Sequence, residues 1–320
     1  MANTTYEKGL HDLGAGCHAW MQPDGSWGWS NAGLVTGDGC SVLIDTLFDI
    51  PCTRAMLAGM APITDRDPIT TVVNTHSDGD HYFGNQLLAG PGVDIIASRA
   101  AAEHMTQEAV DEVVALTRSA GPVGNWVREI FSSFDFGGIE STGPTQTFSG
   151  QHHLDVGGRE VQLIEVGPAH TSGDTLVYVT DAKILFTGDI LFIGGTPIVW
   201  AGPPQRWVDA CDFILDLDVS VIVPGHGPVT DKSGVRQVRD YLAHVINEAT
   251  RHFEAGDELD TAIQALAHGI YADVPDSSRV AQNVVSVYRS LSSRPVELTR
   301  MEIFERMAAL EGFTDGRVHP

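Results

Sequence analysis

Residues 76–81 read His-Ser-Asp-Gly-Asp-His, which puts two imidazoles and two carboxylates into one short stretch. The stretch follows the apolar run Ile69-Thr-Thr-Val-Val-Asn74, whose β-branched content predicts a buried strand. Gly79 allows a tight turn, so His76, Asp78, Asp80 and His81 form a loop able to hold a metal cation. Three later segments each set a further donor in a glycine-bearing turn after an apolar run. They are Pro168-Ala-His170-Thr-Ser-Gly-Asp174, Phe186-Thr-Gly-Asp189 and Val223-Pro-Gly-His226. Singly, each of these donors reads as an ordinary turn residue. In this order and combination they read as one metal site. Asp45 and Asp174 are placed either to orient a ligand imidazole by accepting its second N–H or simply to hold a turn.

The order and spacing of these four segments resemble the metallo-β-lactamase-fold hydrolase superfamily, over roughly residues 13 to 230. The family signature is His-x-His-x-Asp-His, then His, Asp and His. Asp78 departs from it, standing where the family has its second His. The resemblance implies an α/β fold, a four-layer αβ/βα sandwich, here with a C-terminal helical extension. It also implies two divalent metal ions. His76, Asp78 and His170 would hold one, Asp80, His81 and His226 the other, and Asp189 would bridge them. Zinc is the expected metal. The harder oxygen donor at Asp78 tilts its site towards manganese or iron and weakens it.

The chemistry so implied is hydrolysis or cyclisation of an acyl substrate (a thioester, ester or β-keto compound). A hydroxide held by the metal or a metal-polarised carbonyl would carry it, with Asp80 and Asp189 as the catalytic carboxylates. The strings Asn74–Gln86, Ile96–Ala102, Trp200–Pro203 and Pro224–Val229 resemble the branch of bacterial aromatic polyketide cyclases and thioesterases. Lactone or glyoxalase-type thioester hydrolysis is the alternative. Di-iron redox chemistry and a non-catalytic metal-binding homologue are more distant ones. The expected partner is a small-molecule or carrier-bound acyl group.

The elements that position these residues follow from periodicity and punctuation. Gly33–Thr36 and Ser41–Asp45 predict a hairpin, and Pro51 predicts a helix running to about Gly59. A helix is expected over Phe83–Ala89, a strand over Val93–Ala97, and a helix capped by Ser98 over Arg99–Gln107. Residues 108–140 carry two helical patterns broken by Gly121-Pro122 and Gly137-Gly138, the mark of a helical lid over the site. Strands resume through 145–187, then a helix over Pro204–Leu217 and a strand over Val219–Val223. One domain is therefore expected over 1–230, followed by a helical extension over 231–320 packed on it. The stripe Val284, Val287, Tyr288 and Leu291 in that extension also suits a homodimer contact. Trp27 and Trp29, in a glycine-rich loop, and Trp200 are placed to wall a substrate pocket for a planar or hydrophobic acyl group. His18 lies in a segment that could reach it. His319 and the remaining histidines carry no ligand pattern.

The balance of 19 basic against 42 acidic residues gives a net charge of −23, which excludes nucleic acid and anionic membranes as natural partners. No apolar run is long enough for a transmembrane helix, and the first residues lack the apolar core of a signal peptide. The four cysteines show no Cys-x-x-Cys pairing and read as reduced thiols. A cytoplasmic protein is expected.

Overall fold

A computed structural model describes residues 6–294 and 296–314. His319, with the ends of the chain, lies outside them. Two sheets form the centre. The first has seven strands in sequence order: β1 (Gly9–Gly14), β2 (Cys17–Met21), β3 (Ala32–Thr36), β4 (Ser41–Ile44), β5 (Ile69–Val73), β6 (Asp94–Ser98) and β7 (Gln146–Phe148). Strands β1 to β4 pair antiparallel, and β4 to β7 pair parallel. The second sheet runs in reverse order: β8 (Gln151–Val156), β9 (Arg159–Glu165), β10 (Thr175–Val179), β11 (Ile184–Phe186) and β12 (Val221–Val223). Only β11 and β12 are parallel there.

Ten α-helices surround the sheets among the described residues: α1 (Ile50–Thr64), α2 (Gly79–Tyr82), α3 (Arg99–Ala102), α4 (Gln107–Arg118), α5 (Gly121–Ile130), α6 (Pro204–Asp216), α7 (Lys232–Ala255), α8 (Leu259–Ala267), α9 (Val280–Leu291) and α10 (Arg300–Leu310). Val35, Ile44 and Val73 of one sheet meet Val161, Val177 and Phe186 of the other. On the far side of the first sheet, Met56 and Met60 of α1 cover Leu34, Leu43 and Val72. On the far side of the second, Trp207 of α6 and Val238 and Leu242 of α7 cover Leu176 and Leu185. Helix, sheet, sheet and helix make the expected four layers. Each fully buried large apolar side chain contributes about 1.5–3 kcal/mol to holding them.

Several elements depart from their sequence expectations for local reasons. Helix α1 starts as predicted, with Asp49 accepting from Cys52 N at 2.7 Å and Pro51 in the first turn. It runs past Gly59, because that glycine faces the Trp20 ring, where a Cβ would lie 2.5 Å from Cζ3. The glycine there serves packing rather than termination. Gly121-Pro122 does not break a helix but starts α5, since proline costs nothing in a first turn whose N–H has no partner. The helix expected over Phe83–Ala89 forms earlier, as α2, leaving a single turn at Asn85–Leu87. Asn85 is drawn inward there, donating to Asn74 Oδ1 (2.8 Å) and Thr142 O (3.0 Å). Ser98 caps a helix as expected, but its hydroxyl also donates to Gly173 O at 2.7 Å, and the helix stops at Ala102.

Val284, Val287 and Tyr288 are buried within the chain itself, so only Leu291 of that stripe is exposed. Among the described residues no helix is long and apolar enough to cross a membrane.

Candidate metal centre

Strand β5 ends at Val73 and releases the chain into the turn carrying His76, with α2 carrying Asp80 and His81. Strand β11 ends just before Asp189, and β12 just before the Pro224-Gly-His226 turn. The carboxyl ends of parallel strands thus aim three segments at one point. His170 joins them from the turn between β9 and β10.

Two triads with no member in common result, each drawn together within 4.8 Å: His76, Asp78 and His170, and Asp80, His81 and His226; a third, His76, His81 and Asp189, spans them. Asp189 sits between them. Its Oδ2 lies 3.4 Å from His170 Nε2 and 3.3 Å from His226 Nε2, and its Oδ1 lies 3.0 Å from His81 Nε2. His76 Nε2 is 3.8 Å from Oδ2. All seven residues named in the sequence therefore converge.

The outer nitrogens of the four imidazoles are all engaged elsewhere. His170 Nδ1 lies 2.6 Å from Ile198 O, and His226 Nδ1 lies 3.0 Å from Gly25 O. A carbonyl only accepts, so both Nδ1 atoms carry a proton, and each Nε2 faces a carboxylate across the centre, Asp78 Oδ2 at 3.1 Å and Asp80 Oδ2 at 3.2 Å. His81 Nδ1 donates to Asp45 Oδ2 at 2.8 Å, and His76 Nδ1 lies 3.0 Å from Thr75 Oγ1, which itself donates to Asp45 Oδ2. Asp45 does the orienting work considered for it. Asp174 does not: it accepts from Ala169 N, Thr171 N and Thr171 Oγ1, and so shapes the His170 turn without touching an imidazole. The carbonyls of Gly25 and Ile198 were invisible in the sequence, because a backbone oxygen carries no residue signature.

The electrostatics call for added positive charge. Burial opposes ionisation of Asp189, yet the imidazoles of His226, His81 and His76 hold it well below the usual carboxylate range. Burial opposes protonation of His170 and His226 too. The Asp78 carboxylate nevertheless lifts His170 to about 9, and Asp189, then Asp80, lift His226 to about 9. His76 is pushed down to about 3, by burial first and then by the charge of His81. His76 Nε2, His81 Nε2 and Asp189 Oδ1 are buried without a hydrogen-bond partner. Burial opposes protonation of His81 as well, yet Asp189 and then Asp45 lift it well above its usual range, so protons supply the positive charge that a bound cation would replace. The donor set fits divalent ions: imidazole nitrogen and carboxylate oxygen suit zinc, manganese and iron alike.

The centre opens into a cavity of two joined lobes. The inner lobe, about 110 Å³, has Trp27, Phe48, Phe131, Phe192, Trp200 and Phe304 as its aromatic wall. The outer lobe, about 450 Å³, is rimmed by Glu103, Glu108 and Glu112 with Arg300. Trp27 and Trp200 line the inner lobe. Trp29 does not line the cavity: Gly28 between the two indoles has φ +76°, which turns Trp29 onto Phe134 at 4.7 Å and under Lys8 at 5.2 Å. His18 stays on β2, 3.8 Å from Asp12, away from the centre.

The sequence profile of the Metallo-beta-lactamase superfamily matches residues 25–226, which contain all seven converging side chains. The chain belongs to that superfamily. Among curated relatives of this metallo-β-lactamase-superfamily protein is the 2,4-dinitroanisole O-demethylase subunit alpha of Nocardioides sp. (strain JS1661). It is 26% identical over 199 residues, covering 60% of this chain and 51% of that one. Another is the human acyl-coenzyme A thioesterase MBLAC2, 26% identical over 216 residues, covering 62% and 72%. The chain thus spans about half the length of the first of these. Among solved structures, the inverting sec-alkylsulfatase Pisa1 from Pseudomonas sp. superposes with a TM-score of 0.67 at 20% identity, covering 89% of this chain and 50% of that one. A metallo-beta-lactamase from Pontibacter korlensis gives 0.55 at 18% identity, covering 74% and 99%. Both show the shared fold.

Proposed function

We propose that this chain is a metal-dependent hydrolase of planar or apolar acyl compounds, with thioesters and esters as the first substrate class. The observation that carries the reading is the pair of triads with Asp189 between them at the floor of an aromatic-walled cavity. The ions held there would polarise the substrate carbonyl and make a water nucleophilic near neutral pH. The chain's own residues do the rest. Asp80, whose side chain is 13% exposed towards the cavity, orients the attacking water. Asp189, 4% exposed, keeps the four imidazoles facing inward. Trp27 and Trp200 hold the flat acyl part and keep bulk water from it, while the leaving group departs through the wider outer lobe.

The relatives support a carbonyl substrate, since one of them is named an acyl-coenzyme A thioesterase and another a hydroxyacylglutathione hydrolase. Ring closure of a β-keto chain in aromatic polyketide synthesis is the finer reading, supported by the local strings around residues 74–86 and 200–203. In this reading the helices within 108–140 act as a lid. The extension from residue 231 adds a roof through Phe304 of α10, whose ring packs 5.6 Å from Trp126 of α5. A panel of acyl thioesters, esters, lactones, β-lactams and a β-keto thioester tests the proposal. Turnover of thioesters or esters should vanish on chelation, return with added zinc or manganese, and be lost in Asp80→Ala. Turnover that survives chelation, or an Asp80→Ala protein of full activity, would overturn it.

A further inference from the structure

The loop at residues 22–31 carries two tryptophans, but its polar residues reach the metal centre more directly. Asn31 is 3% exposed, and its side-chain amide and backbone N–H are all hydrogen-bonded. Its Nδ2 donates to Pro224 O at 3.0 Å and to Gly227 O at 2.8 Å, and its backbone N–H donates to Gly225 O at 2.7 Å. These three carbonyls bracket His226 on both sides. Asn31 Oδ1 accepts from Gln22 N at 3.1 Å, closing the loop on itself. The neighbouring Ser30, fully buried, donates through Oγ to Asp80 O at 2.5 Å. Gly25, in the same loop, supplies the carbonyl that fixes the His226 ring.

Two adjacent residues therefore tie down the segments carrying Asp80 and His226, both members of one triad. Among the described residues, neither makes a hydrogen bond to Asp78 or to His170; His170 is backed instead by Ile198 O. We infer that Asn31 and Ser30 are positioning residues for one cation alone, the one to be held by Asp80, His81 and His226. This inference rests on the metal reading above. Asparagine is the side chain the task needs. Its amide offers two N–H groups to two carbonyls, whereas aspartate would face both with negative charge and alanine would leave both buried and unpaired. Residues that orient ligands from behind are commonly worth about 10–100-fold in metal affinity.

The test is a cobalt(II) titration, followed by calorimetry and by the visible bands of the bound ion. It uses the unaltered protein and Asn31→Ala, Asn31→Asp and Ser30→Ala. Ser41→Ala, which removes a comparable buried hydroxyl bond to Asp67 O far from the centre, serves as control. Each loop variant is also combined with Asp78→Ala and with Asp80→Ala. The unaltered protein should bind two ions. Asn31→Ala should weaken one of them by about tenfold or more, and Ser30→Ala should do the same less strongly. The loss should persist in the Asp78→Ala background and disappear in the Asp80→Ala background, with Ser41→Ala silent throughout. Equal weakening of both ions, or weakening matched by Ser41→Ala, would reduce the role to general stability and overturn the inference. So would two ions bound by Ser30→Ala and Asn31→Ala as tightly as by the unaltered protein. If the unaltered protein takes up no metal, the metal reading itself fails, and the inference with it. Should Asn31→Ala not fold, Ser30→Ala decides alone.

Discussion

His76, Asp78 and His170 offer the same donors as Asp80, His81 and His226, two imidazoles and a carboxylate each, yet the two triads are supported differently. Asp78 replaces the imidazole that the superfamily signature has at its position, and this makes the two donor sets alike. What separates them lies behind and around them. In the second triad a buried carboxylate, Asp45, backs His81, and the loop at 22–31 clamps both other members. In the first, the groups in direct contact are neutral, Ile198 O and Thr75 Oγ1, with Asp45 reaching His76 only through that hydroxyl, and the Asp78 side chain is 31% exposed against 13% for Asp80. A carboxylate behind an imidazole makes it a stronger donor, and burial strengthens every charge interaction at the site. The lesson is that affinity in such a centre is set as much by what holds the ligands as by the ligands themselves.

The comparison breaks most completely if the shared carboxylate is moved. A methyl group at Gly225 would lie 1.9 Å from Asp189 Oδ1, so Gly225→Ala must displace the bridge. It should abolish tight binding of both ions and cut turnover by at least about 100-fold, the cost of a misplacement near one ångström. Metal analysis and steady-state kinetics check this; retained stoichiometry would show that the triads do not need Asp189 between them.

Acidity is the next lever. His170, in one triad, and His226, in the other, both have pKa values raised to about 9 in the metal-free protein. Each ion must therefore expel a proton on entry. Apparent affinity at the first triad should climb about tenfold per pH unit up to about pH 9 with about one proton released, and more steeply at the second, where His81 is raised as well as His226 and a further proton must leave. Calorimetry in buffers of different ionisation enthalpy counts those protons. The metal-free fold has the opposite slope. Protonated His170 and His226 stabilise it fully below about pH 6.5, and that contribution is lost as pH rises through about 9.

Asp45→Asn sharpens the contrast, because it removes charged backing from His81 directly, reaches His76 only through the Thr75 hydroxyl, and leaves Ile198 O behind His170 untouched. One ion should be weakened by about 10–100-fold and the other by much less. A smaller effect is expected from Asp78→His. It restores the signature and should tighten the first triad until the two sites titrate together, so equally tight sites in the unaltered protein would remove the asymmetry between the triads.

Much of this molecule could be read directly. The alternation of apolar runs with glycine turns located the strands that matter, and the donors announced themselves by type. Misreadings came where a residue's partner is remote. Gly59 looked like a helix stop and is instead a packing site for Trp20. Asp174 had the spacing of an orienting carboxylate, but its oxygens are taken by Thr171 and the Ala169 amide. Trp29 shared a loop with Trp27, yet one positive φ at Gly28 sends it to Phe134.

The sequence by itself determined the donor set, its charge, and the strand-to-turn context that exposes each donor. Those depend on residue type and on contacts a few positions apart, which local pattern encodes. Only the tertiary structure decided which nitrogen of each imidazole faces inward, which loop clamps which triad, and which indole meets the cavity. Those outcomes rest on bonds such as Asn31 to Gly227 and His226 to Gly25, between chain segments brought together solely by the packing of two sheets.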